Sequence, residues 1–157
     1  MPDEPSNLET GHRVAAIIYG AMAGSVVLYA VAVEVVNATQ APFTGFASRP
    51  MDPMVRYGLW GVALLQAMLI GAVRRSLLAR SSGDRSSSSV GKLITVAIIT
   101  AALAEIPVIL GLVLFMASGL RADFYALLAL SLGLLATWFP RLDSWRQWVA
   151  EPPARGC

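Results

Sequence analysis

The chain has little charge and almost none of the residues from which catalytic and metal centres are built. Only 14% of its 157 residues are charged, whereas soluble domains average about 25%. A single cysteine, Cys157, excludes an intramolecular disulfide, and with the single histidine, His12, it is too little for an ordinary zinc site or Cys–His catalytic pair. No Ser/His/Asp set or phosphate-binding loop is recognisable. We therefore expect no enzyme, no cofactor, no metal and no nucleic-acid partner.

Apolar residues are abundant instead. They make up 56% of the chain, and the mean hydropathy is +0.62. They fall into four runs, each long enough for a helix to cross the bilayer: residues 14–36, 57–73, 93–116 and 123–139. We predict an all-α, integral membrane four-helix bundle over residues 14–140, built as two tandem helix hairpins. A polar tail (1–13) precedes it and an interfacial or disordered tail (141–157) follows.

The basic residues are distributed unevenly around these runs. With four spans, both termini and the loop between the second and third runs share one side. Nine of the 12 basic residues belong to that side, and only Arg49, Arg56 and Arg121 belong to the other. Short loops rich in Lys and Arg stay in the cytoplasm. We therefore expect a multi-pass protein of the bacterial inner membrane with cytoplasmic N- and C-termini.

Small residues mark possible packing positions. Ala16, Gly20 and Gly24 recur at every fourth place of the first run, a spacing that lets another backbone approach closely. The run is also too long for a secretory signal, so we expect a retained helix. Residues 17–33 align without gaps on 98–114, which indicates a parallel repeat. Glycine and alanine are common in membrane helices, however, so both patterns also fit an ordinary apolar helix.

One ionisable group, Glu105, lies in the middle of the third run. A helix of those 24 residues is roughly 36 Å long, and Glu105 is the thirteenth of them, close to the predicted bilayer midplane. Even low estimates put a charged carboxylate there at roughly 3 kcal/mol unfavourable. The residue is therefore protonated, partnered or kept for function. Low dielectric favours the neutral form.

Two further groups are predicted to lie near this carboxyl. Pro107 has no N–H, so the carbonyl of Leu103 loses its helical hydrogen bond and the helix bends there. Gln66, at the centre of the second run, is at comparable depth and needs a partner on a neighbouring helix. Glu105, Gln66 and the Leu103 carbonyl are therefore candidate ligands for a proton or a cation. Gly20, Gly24, Pro107 and Gly111 are the candidate helix-packing residues.

The segment AALAEIPVILGLVLF, residues 101–115, resembles the carboxylate-bearing helix of the proteolipid c subunit of rotary ATPases. The resemblance implies that Glu105 carries an ion, that residues 74–92 form the polar loop of a hairpin, and that Gln66 assists binding. The chain also resembles small four-helix membrane proteins of bacteria, a group without an assigned activity. That likeness is carried by the Ala/Glu segment and by Phe139-Pro140-Arg141 with the tryptophans that follow.

Two functions remain open at this point. In the first, the chain is an accessory or structural subunit of a larger membrane complex. The expected partners are the lipid bilayer and other membrane protein subunits, with self-association as the alternative. Glu105 is then a neutral, hydrogen-bonded packing residue. In the second, the chain is a proteolipid-like subunit in which Glu105 takes up and releases a proton or cation.

Overall fold

The structure, a computed structural model, describes residues 4–47, 51–81, 89–143, 145 and 147. These residues form four α-helices in chain order and contain no β-strand: α1 (Glu4–Thr39), α2 (Pro53–Ser81), α3 (Ser89–Ser118) and α4 (Arg121–Thr137). The all-α prediction is confirmed. By length and composition α1, α2 and α3 each suffice to cross a membrane, whereas α4 has 17 residues.

Two helices extend beyond the apolar runs at the end of the bundle that carries the α2–α3 loop. α2 continues to Ser81 and α3 begins at Ser89. The segment 74–92, which the resemblance implies is the polar loop of a hairpin, is therefore helical at both ends, and its middle, residues 82–88, lies outside the described residues. Good helix formers such as Leu, Ala and Arg follow Val73, so helix propensity continues where hydrophobicity stops.

The predicted polar tail 1–13 is also largely helical, because α1 begins at Glu4. Its Leu8 and Gly11 are buried, and they continue the face on which Ala15 lies. These three residues recur every three or four positions, the spacing of one helix face. This end of α1 therefore belongs to the packed bundle.

α3 is the central helix. Half of the residues in its most apolar stretch are buried, against 17% for α1 and 11% for α2. It packs against all three other helices, and α1 also packs against α4. The buried α3 side chains include small and large residues that share the main core: Ala97, Ala101, Ala104, Val108 and Phe115. α1 and α2 consequently present most of their surface outward.

The α1–α2 connection closes the opposite end of the bundle. The Phe46 N–H donates to the Met116 carbonyl at 2.8 Å, so the loop satisfies a carbonyl that the end of α3 would otherwise leave unpaired. Gly45 and Gly119 both have positive φ, at 92° and 72°. A side chain on Gly119 would also meet the Phe43 carbonyl oxygen at 2.6 Å. Glycine is therefore required at these two positions.

The residues after α4 fold back onto the start of α1. Trp145 is only 3% exposed, and its ring meets the His12 ring edge-on at 5.7 Å. His12 Nε2 lies 2.9 Å from the Pro140 carbonyl and donates to it. The first part of the predicted interfacial tail is thus packed, while Cys157 and residues 148–157 lie outside the described residues.

Candidate functional site

Two polar contacts from neighbouring helices lie beside Pro107 in the middle of α3. The Gln66 side-chain amide of α2 donates to the carbonyl of Leu103, the oxygen that Pro107 cannot bond. The Val108 N–H donates to Ser131 Oγ of α4 at 2.9 Å, and Ser131 is fully buried. The α3 segment around the proline is therefore hydrogen-bonded to both α2 and α4.

Glu105 attaches the third neighbour. Its Oε1 accepts a hydrogen bond from Ser25 Oγ at 2.6 Å and another from Tyr29 OH at 2.9 Å, both on α1. Glu105 retains only 9% of its surface exposed. Ser25 and Tyr29 are four residues apart, so they lie one above the other on a single face of α1.

These contacts form one layer across the bundle. Three α3 positions, Leu103, Glu105 and Val108, receive polar contacts from α2, α1 and α4 respectively, and they lie within an axial distance of about 8 Å. We call this set the polar layer: Ser25, Tyr29, Gln66, the Leu103 carbonyl, Glu105, the Val108 N–H and Ser131. Because the surroundings are apolar, each of these bonds also fixes the rotation and height of one helix against α3.

The Ser25 hydroxyl gives the layer a proton-dependent arrangement. Ser25 Oγ lies 2.7 Å from the Met22 carbonyl and 2.6 Å from Glu105 Oε1. A serine hydroxyl has one hydrogen to donate. When that hydrogen goes to Met22, the Ser25–Glu105 contact needs a hydrogen from the carboxyl group. The geometry therefore accommodates a protonated Glu105 without moving a heavy atom.

The candidate ligands are not gathered around one point. Gln66 Nε2 meets the Leu103 carbonyl, whereas the hydrogen bonds of Glu105 run to α1. Gln66 Oε1 is buried and accepts no hydrogen bond within the described part of the chain. The layer thus contains one carboxyl with hydroxyl partners and, separately, one buried amide oxygen without a donor among the described residues.

The candidate packing residues divide into two groups. Gly111 lies in the α3–α4 interface, where an added Cβ would meet Leu127 Cβ at 3.1 Å and the Phe124 backbone at 3.3 Å. Pro107 is buried. Gly20 and Gly24 face outward, with nothing within 4 Å of an added Cβ. They do not pack within this chain, because α1 uses its other face for α3.

Two ion pairs lie at the end of the bundle closed by the α1–α2 loop. Arg56 Nε lies 2.7 Å from Asp123 Oδ2 and its guanidinium donates to Oδ1 at 2.9 Å, while Trp60 Nε1 donates to the same oxygen at 3.3 Å. Arg121 donates to Glu34 at 2.5 Å, and Tyr125 also donates to this carboxylate. Glu34 therefore joins α1 to α4.

Sequence reasoning missed the partners of Glu105. Ser25 and Tyr29 are spaced for one helix face, but an apolar helix gives no sign of which face turns inward. Ser131 was missed for the same reason. One signal was available in the internal repeat, where Gly24 aligns with Glu105. If the two helices lie at the same depth, Ser25 is only one residue from the height of Glu105.

Among the described residues, no group of three or more His, Cys, Asp or Glu side chains could hold a metal ion. No protein-family model matches the chain, and no curated protein or solved structure matches it significantly. The chemistry of the polar layer is therefore the basis for a functional proposal.

Proposed function

We propose that the chain is an integral membrane protein of the bacterial inner membrane that crosses the bilayer four times. Support comes from the lengths of α1, α2 and α3 and from α4, whose 17 residues reach about 26 Å, the lower limit for a span. The nine-to-three distribution of basic residues favours cytoplasmic termini.

The experiment for this topology combines extraction with labelling. Alkaline carbonate should leave the chain in the membrane pellet. A cysteine introduced at Ala47 in a Cys157→Ser background should react with a membrane-impermeant maleimide in intact spheroplasts. Release into the soluble fraction, or reaction only after lysis, contradicts the proposal.

Within that membrane, we propose that the chain acts as an accessory subunit that binds other membrane proteins. The observation that carries this proposal is the polar layer. It joins α3 to the three other helices inside one chain, so the outer faces remain for contacts with partners. Gly20 and Gly24 leave a shallow, open strip on α1, and glycine at such spacing permits close helix contact in lipid.

The test is purification in a mild native detergent followed by mass determination. Co-purification with larger membrane proteins at a fixed ratio is expected. Gly24→Leu should abolish it, because the added side chain fills the strip. Gly133→Leu is the matched control, since Gly133 on α4 is equally open. A monomer, a symmetric ring of this chain alone, or equal effects of both variants contradicts the accessory role.

A second function is favoured by the proton-dependent contact at Ser25. A proteolipid-like subunit binds a proton or cation at a carboxyl inside the membrane. Glu105 has hydroxyl partners on α1, and Gln66 Oε1 is a second buried oxygen in the same layer. A proton fits this arrangement better than a cation, since few oxygen ligands face the carboxyl.

Dicyclohexylcarbodiimide, which reacts with protonated carboxyl groups in apolar surroundings, tests this function. Labelling of Glu105 is expected, with protection at alkaline pH. Protection by sodium at constant pH would assign a cation instead of a proton. Glu105→Gln is the control for site specificity. Absence of labelling in mild detergent contradicts ion binding at this residue.

A further inference from the structure

A small pocket lies at the end of the bundle opposite the two ion pairs, away from the polar layer. Its volume is about 20 Å³, enough for one or two oxygen-sized groups. All four helices or their flanking residues contribute to its walls, chiefly Tyr19, Arg74, Thr100, Trp138, Pro140 and Trp145. This is the end at which α1 and α3 begin and α2 and α4 end, the end that the proposed topology places in the cytoplasm.

Two hydrogen-bond donors line the pocket without a protein acceptor. Tyr19 is 97% buried, since only 3% of its surface is exposed, yet its hydroxyl makes no hydrogen bond within the described residues. Arg74 is half-buried, has its guanidinium 5.1 Å from the Trp138 ring centre and has no carboxylate partner among the described residues. Because Tyr19 and the half-buried Arg74 line the same small pocket, their two donors suit a ligand that brings its own oxygens.

The remaining wall limits what that ligand is. Thr100 donates its hydroxyl hydrogen to the Val96 carbonyl at 2.7 Å, and the tryptophan rings contribute mainly apolar surface. No acidic side chain lines the pocket. A charged donor, the Arg74 guanidinium, and a neutral donor, the Tyr19 hydroxyl, lie beside aromatic rings. This combination suits a phosphate group that is attached to a hydrocarbon chain. Basic pockets between helix ends on the cytoplasmic side bind anionic lipid headgroups in this way.

We propose that this pocket binds the phosphodiester of an anionic phospholipid in the cytoplasmic leaflet. Arg74 and Tyr19 each donate to a phosphate oxygen, and Trp138 lies beside the glycerol and the first acyl carbons. The site rests on the membrane placement proposed above. A lipid held here would contact the ends of all four helices, and so would fix the end of the bundle that the polar layer does not reach.

The test uses the full chain in mild detergent, with phosphatidylglycerol and phosphatidylcholine as probes and native mass spectrometry as the readout. Wild type should retain phosphatidylglycerol in preference to phosphatidylcholine. Arg74→Gln should lower that retention about fivefold, the effect expected for one basic residue at an anionic surface. Tyr19→Phe should lower it about threefold, as for one lost hydrogen bond.

Arg75→Gln is the matched control, because it removes the same charge one residue away. Arg75 Nε donates to the Gly71 carbonyl, and Arg75 does not line the pocket. Its effect should stay below about twofold. Equal losses in Arg74→Gln and Arg75→Gln, or equal retention of the two lipids, would overturn the proposal. If Arg74→Gln fails to fold, unchanged retention by Tyr19→Phe would overturn it as well.

Two further arms separate the possible causes of failure. Displacement of phosphatidylglycerol by millimolar inorganic phosphate would identify a site for free phosphate and overturn the lipid assignment. Membrane fractionation of the same cells reports on the placement alone. A chain that is membrane-bound but shows no lipid preference disproves only the lipid site, whereas a soluble chain disproves the proposed function too.

Discussion

Two buried carboxyl groups in this bundle differ in their partners: one is paired with a cation and the other with neutral hydroxyl groups. Asp123, 5% exposed, lies beside the guanidinium of Arg56 and accepts from Trp60. Glu105, 9% exposed, accepts only from the hydroxyls of Ser25 and Tyr29, with no cationic partner among the described residues. Burying an ionised group without a counter-charge costs several kcal/mol. Asp123 is therefore suited to be charged, and Glu105 to be neutral.

The difference follows from position along the helices. Asp123 is in the first turn of α4, beside the start of α2, where Arg56 keeps 39% of its side chain exposed. Glu105 is halfway along α3, where an arginine would have to leave water entirely. In the proposed bilayer placement, an acid near the interface can pair with a cation that stays in contact with water, whereas an acid at mid-depth is stabilised at lower cost by neutral hydroxyls.

The largest effect is expected at the charged acid. Asp123→Asn keeps the shape but removes the charge, which leaves Arg56 without its counter-ion. We expect a loss of about 2 kcal/mol in unfolding free energy, less than for a fully buried pair because Arg56 is partly exposed. Denaturation in mixed micelles measures it. A change within about 0.5 kcal/mol would show that the pair behaves as a surface ion pair.

Truncation of the neutral acid should come next. Glu105→Ala removes the shared acceptor of Ser25 and Tyr29 and leaves a cavity at the α1–α3 interface, so we expect a loss of about 1.5 kcal/mol. The same denaturation assay applies. Glu34→Ala, on α1 but exposed, is the control and should cost less. Equal losses would mean that burial of the carboxyl contributes nothing.

A smaller effect is expected when one donor is removed from Glu105. Tyr29→Phe deletes a single hydrogen bond and should cost about 1 kcal/mol. In the Glu105→Ala background the same substitution should cost much less, because its partner is already gone. Additive losses in this double-mutant cycle would contradict a direct Tyr29–Glu105 interaction.

The smallest effect, expected for Glu105→Gln, distinguishes the neutral acid from the charged one most clearly. Glu105→Gln exchanges a neutral carboxyl for a neutral amide of the same shape, which still accepts from both hydroxyls. We expect a change of about 0.5 kcal/mol or less, well below that of Asp123→Asn. A loss as large as at Asp123 would show that Glu105 carries a charge in the folded chain.

The existence of the helices was predictable from the hydrophobic runs, and the importance of Glu105 from the absence of other charged residues in its run. Run lengths indicated four helices, and the charge-free surroundings of Glu105 marked it as buried. The contact between Gln66 and the Leu103 carbonyl follows from the covalent chemistry of Pro107. Helix ends were not predictable, since Leu8 and Trp145 pack through long-range contacts that local composition does not encode.

Helix orientation about its own axis was the main feature that the sequence did not reveal. Gly20 and Gly24 form a small-residue face and Ser25 and Tyr29 a polar one, and both faces are plausible interfaces. The structure packs the polar face because Glu105 needs donors. α1 carries apolar side chains on every side. Hydrophobicity alone therefore does not show whether the glycine face or the polar face turns toward α3.

Infrared difference spectroscopy of wild type against Glu105→Gln at neutral pH measures the protonation state of Glu105 most directly. The account predicts that the substitution removes a protonated-carboxyl C=O band and leaves the carboxylate bands unchanged, while Asp123→Asn removes carboxylate intensity. Loss of carboxylate intensity in Glu105→Gln would contradict it.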